Sequence, residues 1–161
     1  MKRFLGFAGL MAAAILLMAG PAGAQSYRKY CNARFGFCIE YPVHFGMEPA
    51  PANDDGRAFD DGEGLRMTVS GINNVMDGTL KSERHSQEQH FDSISYRAAG
   101  SNWYVLSGYK GNKIIYLKTF VGRGSSNHLH ISYPARLKAE YEGVVTRMAR
   151  SFLPGGLGEG H

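Results

Sequence analysis

Residues 93–133 read SISYRAAGSNWYVLSGYKGNKIIYLKTFVGRGSSNHLHISY, and this stretch decides the fold. Four β-prone runs, Ser93 to Ala98, Trp103 to Tyr109, Lys113 to Val121 and Asn127 to Tyr133, alternate with short breaks. The breaks are Gly100-Ser101-Asn102, Lys110-Gly111-Asn112 and Gly122-Arg123-Gly124-Ser125-Ser126. Connections this short can join only antiparallel neighbours, so the segment is expected to form a meander. In the third run Ile115, Leu117 and Val121 share one face while Ile114, Tyr116 and Phe120 make the other face apolar too, which predicts a central strand covered on both sides.

Downstream, Leu137, Tyr141, Val144, Val145, Met148 and Phe152 recur at helical spacing, predicting an amphipathic helix over Ala135 to Phe152. Pro134 suits its first turn, and Pro154-Gly155-Gly156 stops it. Residues 154–161 read as a flexible Gly-rich tail. Upstream, Thr79 to Phe91 is rich in helix formers, with Thr79 or Ser82 available as a cap. Asp54-Asp55-Gly56 and Asp60-Asp61-Gly62 bracket a short run, and Asp-Gly pairs suit tight reversals. Their acidic density does not supply the ligand register of an EF-type calcium loop. From Tyr27 to Tyr41, two β-prone runs flank Asn32-Ala33-Arg34-Phe35-Gly36 and predict a hairpin.

The first 24 residues begin with Lys2 and Arg3, continue as an apolar run from Phe4 to Met18 and end on Ala22-Gly23-Ala24. A basic start, a short hydrophobic segment and a small-residue exit describe a cleavable secretory signal, so the mature chain is expected in the periplasm or outside the cell. Signal removal leaves residues 25–153 as a single α+β domain plus the tail, with no membrane insertion expected. The mature chain carries 16 basic against 14 acidic residues, dispersed along the sequence, which excludes a nucleic-acid footprint.

Cys31 and Cys38, with six residues between them, read as a disulfide in an oxidising compartment. Zinc is the weaker reading, because no neighbouring ligands complete a tetrahedral set. Catalytic patterns are incomplete. Ser107 lacks a Gly-x-Ser-x-Gly elbow and reads as a residue near a strand end with a turn role. His128 and His130 project from one strand face, opposite Leu129, Ile131 and Tyr133, and form only a weak metal candidate without a third ligand. A hydrolase or metal-dependent enzyme would need Ser107, His128 and His130 to converge with a further partner. Trp103, Tyr104, Tyr109, Tyr116 and Phe120 are the more interesting group, because outward aromatics on a sheet serve as interface anchors. No cofactor is expected.

Three stretches carry a family resemblance: Phe35-Gly36-Phe37-Cys38-Ile39-Glu40-Tyr41-Pro42; Asp55-Gly56-Arg57-Ala58-Phe59 leading to Val69-Ser70-Gly71; and Trp103-Tyr104-Val105-Leu106-Ser107-Gly108 with a closing helix ending Arg150-Ser151-Phe152. Together they resemble bacterial exported domains of the PsbP-like superfamily. The resemblance implies a mainly antiparallel sheet of about six to seven strands flanked by helices, an α/β/α sandwich, and a non-enzymatic accessory or binding role with an unnamed protein or small-molecule partner. Cys38 departs from the small polar residue more usual there. A second likeness is to periplasmic inhibitors of lysozyme, whose Ser-Gly-x-Tyr loop enters an enzyme cleft. Ser107-Gly108-Tyr109 followed by Tyr116 and Lys118 resembles that pattern, with the tyrosine one position early. With Trp103, these residues form the candidate binding set: Trp103, Ser107, Gly108, Tyr109, Tyr116 and Lys118.

Overall fold

A computed structural model describes residues 25–158 and 160; the expected signal segment, residues 1–24, lies outside the described residues. The strands are β1 (Tyr27–Cys31), β2 (Cys38–Pro42), β3 (Gly46–Met47), β4 (Gly56–Asp60), β5 (Arg66–Asn73), β6 (Ser93–Ala99), β7 (Trp103–Lys110), β8 (Lys113–Val121) and β9 (Ser125–Pro134). Helix α1 (Leu80–Glu88) lies between β5 and β6, and a 3-10 turn (Ala135–Leu137) leads into the closing helix α2 (Lys138–Ser151). Seven strands make one antiparallel sheet in the order β3-β4-β5-β9-β8-β7-β6, and β1 and β2 form a separate two-stranded hairpin. The expected α+β class and meander hold, with the hairpin lying outside the main sheet.

Cys31 and Cys38 face each other in the β1–β2 register and are disulfide bonded. The hairpin and α2 cover one face of the sheet. There Phe37, Ile39, Phe59, Met67, Leu129 and Met148 join one buried cluster. Phe35 closes it by lying flat over Gly71, where an added Cβ would stand 2.1 Å from the ring. On the other face α1 rests on a smaller cluster of Tyr104, Leu106, Leu117 and Val121, flanked by Leu80, Phe91 and Ile94. As expected, β8 is central and contributes to both clusters.

Helix α1 ends earlier than its composition suggests and is capped by Thr79, which accepts from the Ser82 amide at 3.1 Å while Ser82 Oγ accepts from the Thr79 amide at 2.8 Å. The acidic turns serve as turns. Asp61 Oδ1 accepts from the amides of Glu63, Gly64 and Leu65 at 2.8–2.9 Å, and its other oxygen receives the Tyr141 hydroxyl, tying the β4–β5 turn to α2. Pro134 ends β9 opposite Lys113 instead of opening the helix, because the 3-10 turn intervenes.

Residues 154–157, expected as a flexible tail, make specific contacts. Leu153 bridges to Cys38, the Gly155 amide donates to Asn127 Oδ1 at 2.9 Å, and the Gly124 amide donates to the Leu157 carbonyl at 3.0 Å. Ser125 Oγ donates to the Gly156 carbonyl at 3.1 Å, and β9 correspondingly begins at Ser125, two residues before its expected start. These are backbone-mediated contacts, so Gly-rich composition does not prevent them.

Candidate functional site: a groove under α2

Strand pairing fixes which side chains share a face. Trp103 pairs with Phe120, Val105 with Lys118, Ser107 with Tyr116 and Tyr109 with Ile114, and directly opposed residues project together. All of them point toward α2. Beyond the end of the hairpin's cover, α2 stands off from this part of the sheet and leaves a cavity of about 720 Å³. Its floor is β6–β8, its roof the stripe of α2 that carries Lys138, Glu142, Val145, Thr146, Ala149 and Arg150. The volume falls within the range of small-molecule sites.

The groove has two unlike ends. At one, Lys118 Nζ donates to the carbonyl oxygens of Ala149 (2.8 Å) and Phe152 (3.3 Å), capping the last turn of α2, and stands 5.1 Å from the Phe120 ring centre. Burial pulls the Lys118 ammonium below the usual lysine range. Trp103 and Arg150 line the same end. At the other end Tyr133 stacks edge-on against Tyr141, with centroids 5.6 Å apart, and lies near Tyr109 and Glu142. Burial, with those two neighbours adding, raises the Tyr133 phenol. Between the ends, burial pushes Tyr116 up to about 12, with Tyr96 across the groove adding to the shift.

Five of the six sequence-nominated binding residues, Trp103, Ser107, Tyr109, Tyr116 and Lys118, therefore line one concavity. Gly108 does not. It faces the opposite side, and an added Cβ there would stand 2.1 Å from the Ser93 carbonyl oxygen, beside the β6 irregularity between Ile94 and Tyr96. Ser107-Gly108-Tyr109 is also no loop: it lies inside β7, paired with β6 on one side and β8 on the other, so it cannot insert into an enzyme cleft in the manner of a protruding loop. The turn role read for Ser107 is corrected on the same ground.

The histidines belong to the other face. His128 pairs with Thr119 and His130 with Leu117, on the α1 side, so neither can meet Ser107 across the sheet. The serine-histidine constellation is not assembled. His128 Nδ1 shares a hydrogen bond with Thr119 Oγ1 at 3.2 Å, and burial depresses its imidazole to about 4. His130 is exposed. Among the described residues no three His, Cys, Asp or Glu side chains gather as a metal set, and no helix is long and apolar enough to cross a membrane.

No protein-family model matches the chain, and no curated protein matches its sequence. Solved structures do match. The solution structure of cyanobacterial PsbP (CyanoP) from Synechocystis sp. PCC 6803 superposes with a TM-score of 0.59 at 16% identity, covering 86% of this chain and 98% of that one. The fold is PsbP-like. The crystal structure of the Saccharomyces cerevisiae Ran-binding protein Mog1p is also similar, with a TM-score of 0.55 at 9% identity over 81% of this chain and 96% of that one.

Within the PsbP-like sandwich, the groove residues that sequence reasoning did not nominate are those of its α2 roof, Lys138, Glu142 and Arg150, together with Tyr96 on β6. The available signal was the helical spacing from Lys138 through Glu142 to Arg150 beside the buried stripe.

Proposed function

We propose that this chain is an exported, non-enzymatic binding domain that receives its partner in the groove between α2 and β6–β8. The observation that carries this reading is the convergence of Trp103, Ser107, Tyr109, Tyr116 and Lys118 on one open, aromatic cavity. Concave, mostly apolar sites with a few polar groups are where ligands bind. Aromatic rings supply contact area at low entropic cost. The Mog1p neighbour is a Ran-binding protein, which supports recognition work for this fold, and export rests on the amino-terminal segment.

A groove-filling substitution tests the reading without removing core packing. Ala98 sits on edge strand β6 and lines the cavity, so Ala98→Trp should occlude it. Immobilised mature protein is offered periplasmic extract, with Ile72→Trp, an exposed site on β5 outside the groove, as control. Components retained by the wild type and by Ile72→Trp should be lost with Ala98→Trp. Retention unaffected by Ala98→Trp overturns the groove as the binding site.

A further inference from the structure

We propose that the groove is a site for a single anionic amphiphile, with its acid group at the Arg150–Lys118 end and its apolar body along the aromatic wall toward Tyr109. This rests on the groove being the binding site, and it adds the chemistry of the ligand.

Charge complementarity carries the assignment. Three cations line the cavity, Lys118, Lys138 and Arg150, against one anion, Glu142, and none of the four makes an ion pair among the described residues. Their distribution is polar along the groove. Lys138 and Glu142 sit near the first turn of α2 and offset each other, while Arg150 lies roughly 18 Å further along the helix axis. The Lys118 bonds to the Ala149 and Phe152 carbonyls place that ammonium at the Arg150 end. Two of its three N–H groups are used there, which leaves one donor. The helix C-terminus contributes only about half a negative charge, so two cations leave that end net positive.

Between the Arg150 end and the Lys138–Glu142 pair, the strand wall of the groove carries no cationic or acidic side chain. Val105, Tyr116, Ile114 and Tyr109 continue from Lys118 along the paired strands β7 and β8. An apolar chain or ring system leaving the acid group would lie on these side chains under Val145. Because the site is a concavity between a helix and a sheet, it suits one molecule, not the flat surface of a bilayer.

Trp103 is the only tryptophan and lines the acid end, so its fluorescence reports occupancy. Mature protein is titrated with dodecanoate below its micelle concentration, with dodecyltrimethylammonium as the same tail carrying the opposite charge, and with phosphatidylglycerol vesicles. Dodecanoate should give a saturable change at least tenfold tighter than the ammonium, weakening with salt. Arg150→Gln should weaken it about tenfold, the size of one lost charge-assisted contact, and Lys138→Gln by less than about twofold. Equal affinity for both amphiphiles, no effect of Arg150→Gln, or binding to vesicles alone would each overturn the proposal. If neither amphiphile binds while Ala98→Trp still abolishes capture from extract, the amphiphile proposal fails and the groove stands.

Discussion

On the α2 face of the sheet, Phe59, Met67, Val69, Leu129 and Ile131 are sealed beneath the β1–β2 hairpin and the closing helix. On the α1 face the same β5 and β9 backbones present Thr68, Ser70, His128 and His130, and the helix above contributes no fully buried residue of its own. The alternation of a strand makes both faces from one sequence, so a polar residue at every second position makes one face thin without weakening the other. Stabilisation by apolar burial is thus concentrated on the α2 side, and so is the groove. A cavity there can stay open because the neighbouring core holds α2 in place through Tyr141, Val145 and Met148.

The largest expected effect tests that asymmetry directly. Met148 is fully buried where α2 meets the sheet. Met148→Glu places an unpaired charge in the core and should cost about 3–5 kcal/mol, enough to unfold a domain of this size or nearly so. Chemical denaturation of the two proteins measures it, and a midpoint within error of wild type would break the claim that the α2 face carries the fold.

The second effect comes from the hairpin that lids this core. The Cys31–Cys38 disulfide closes a short loop, so replacing both cysteines with alanine should cost about 2.5 kcal/mol in the chain-entropy description. Phe35 and Phe37 in the connection and Ile39 on β2 are all buried, and loosening their entry should show as earlier hydrogen exchange in β1 and β2 than in β5 or β9. Uniform exchange across both sheets would show that the hairpin does not open as a separate unit.

Much of this architecture was legible. The double apolar faces of β8, the disulfide-pinned hairpin, the acidic turns and the buried stripe of α2 are each set by side chains a few residues apart, where periodicity and turn chemistry speak directly. Three things were not. The docking of residues 154–157 uses backbone amides and carbonyls, which composition does not reveal. Ser107-Gly108 resembled a turn because glycine marks turns, yet here Gly108 is required by the close approach of β6. The aromatic floor of the groove was visible as a stripe, whereas its charged roof depends on where α2 comes to rest, a long-range outcome of packing on β2 and β9.

The effect expected to be smallest at neutral pH sharpens the comparison from the α1 side. His128 lies beneath the thin face, bonded to Thr119 on β8 and paired with Ser70 on β5, with Glu83 of α1 held nearby by Ser126 Oγ at 2.8 Å. Burial depresses its imidazole to about 4, below the ordinary value of 6.5 that the unfolded chain would show. The unfolded state therefore takes up the proton first as the pH falls. The stability tied to a neutral His128 is fully present above about pH 6.5 and is lost progressively as the pH drops toward 4, a total on the order of 3 kcal/mol. His130, on the same strand and face but more exposed, is also lowered by burial and makes the internal comparison. Ring-proton NMR of the folded protein should place the His128 midpoint well below that of His130, and His128→Gln should flatten the decline in melting temperature between pH 6.5 and 4.5. A His128 midpoint near 6.5, or an unchanged decline in the variant, would mean that the α1 face admits water freely and that α1 shields less of it than the buried Thr119 beside His128 implies.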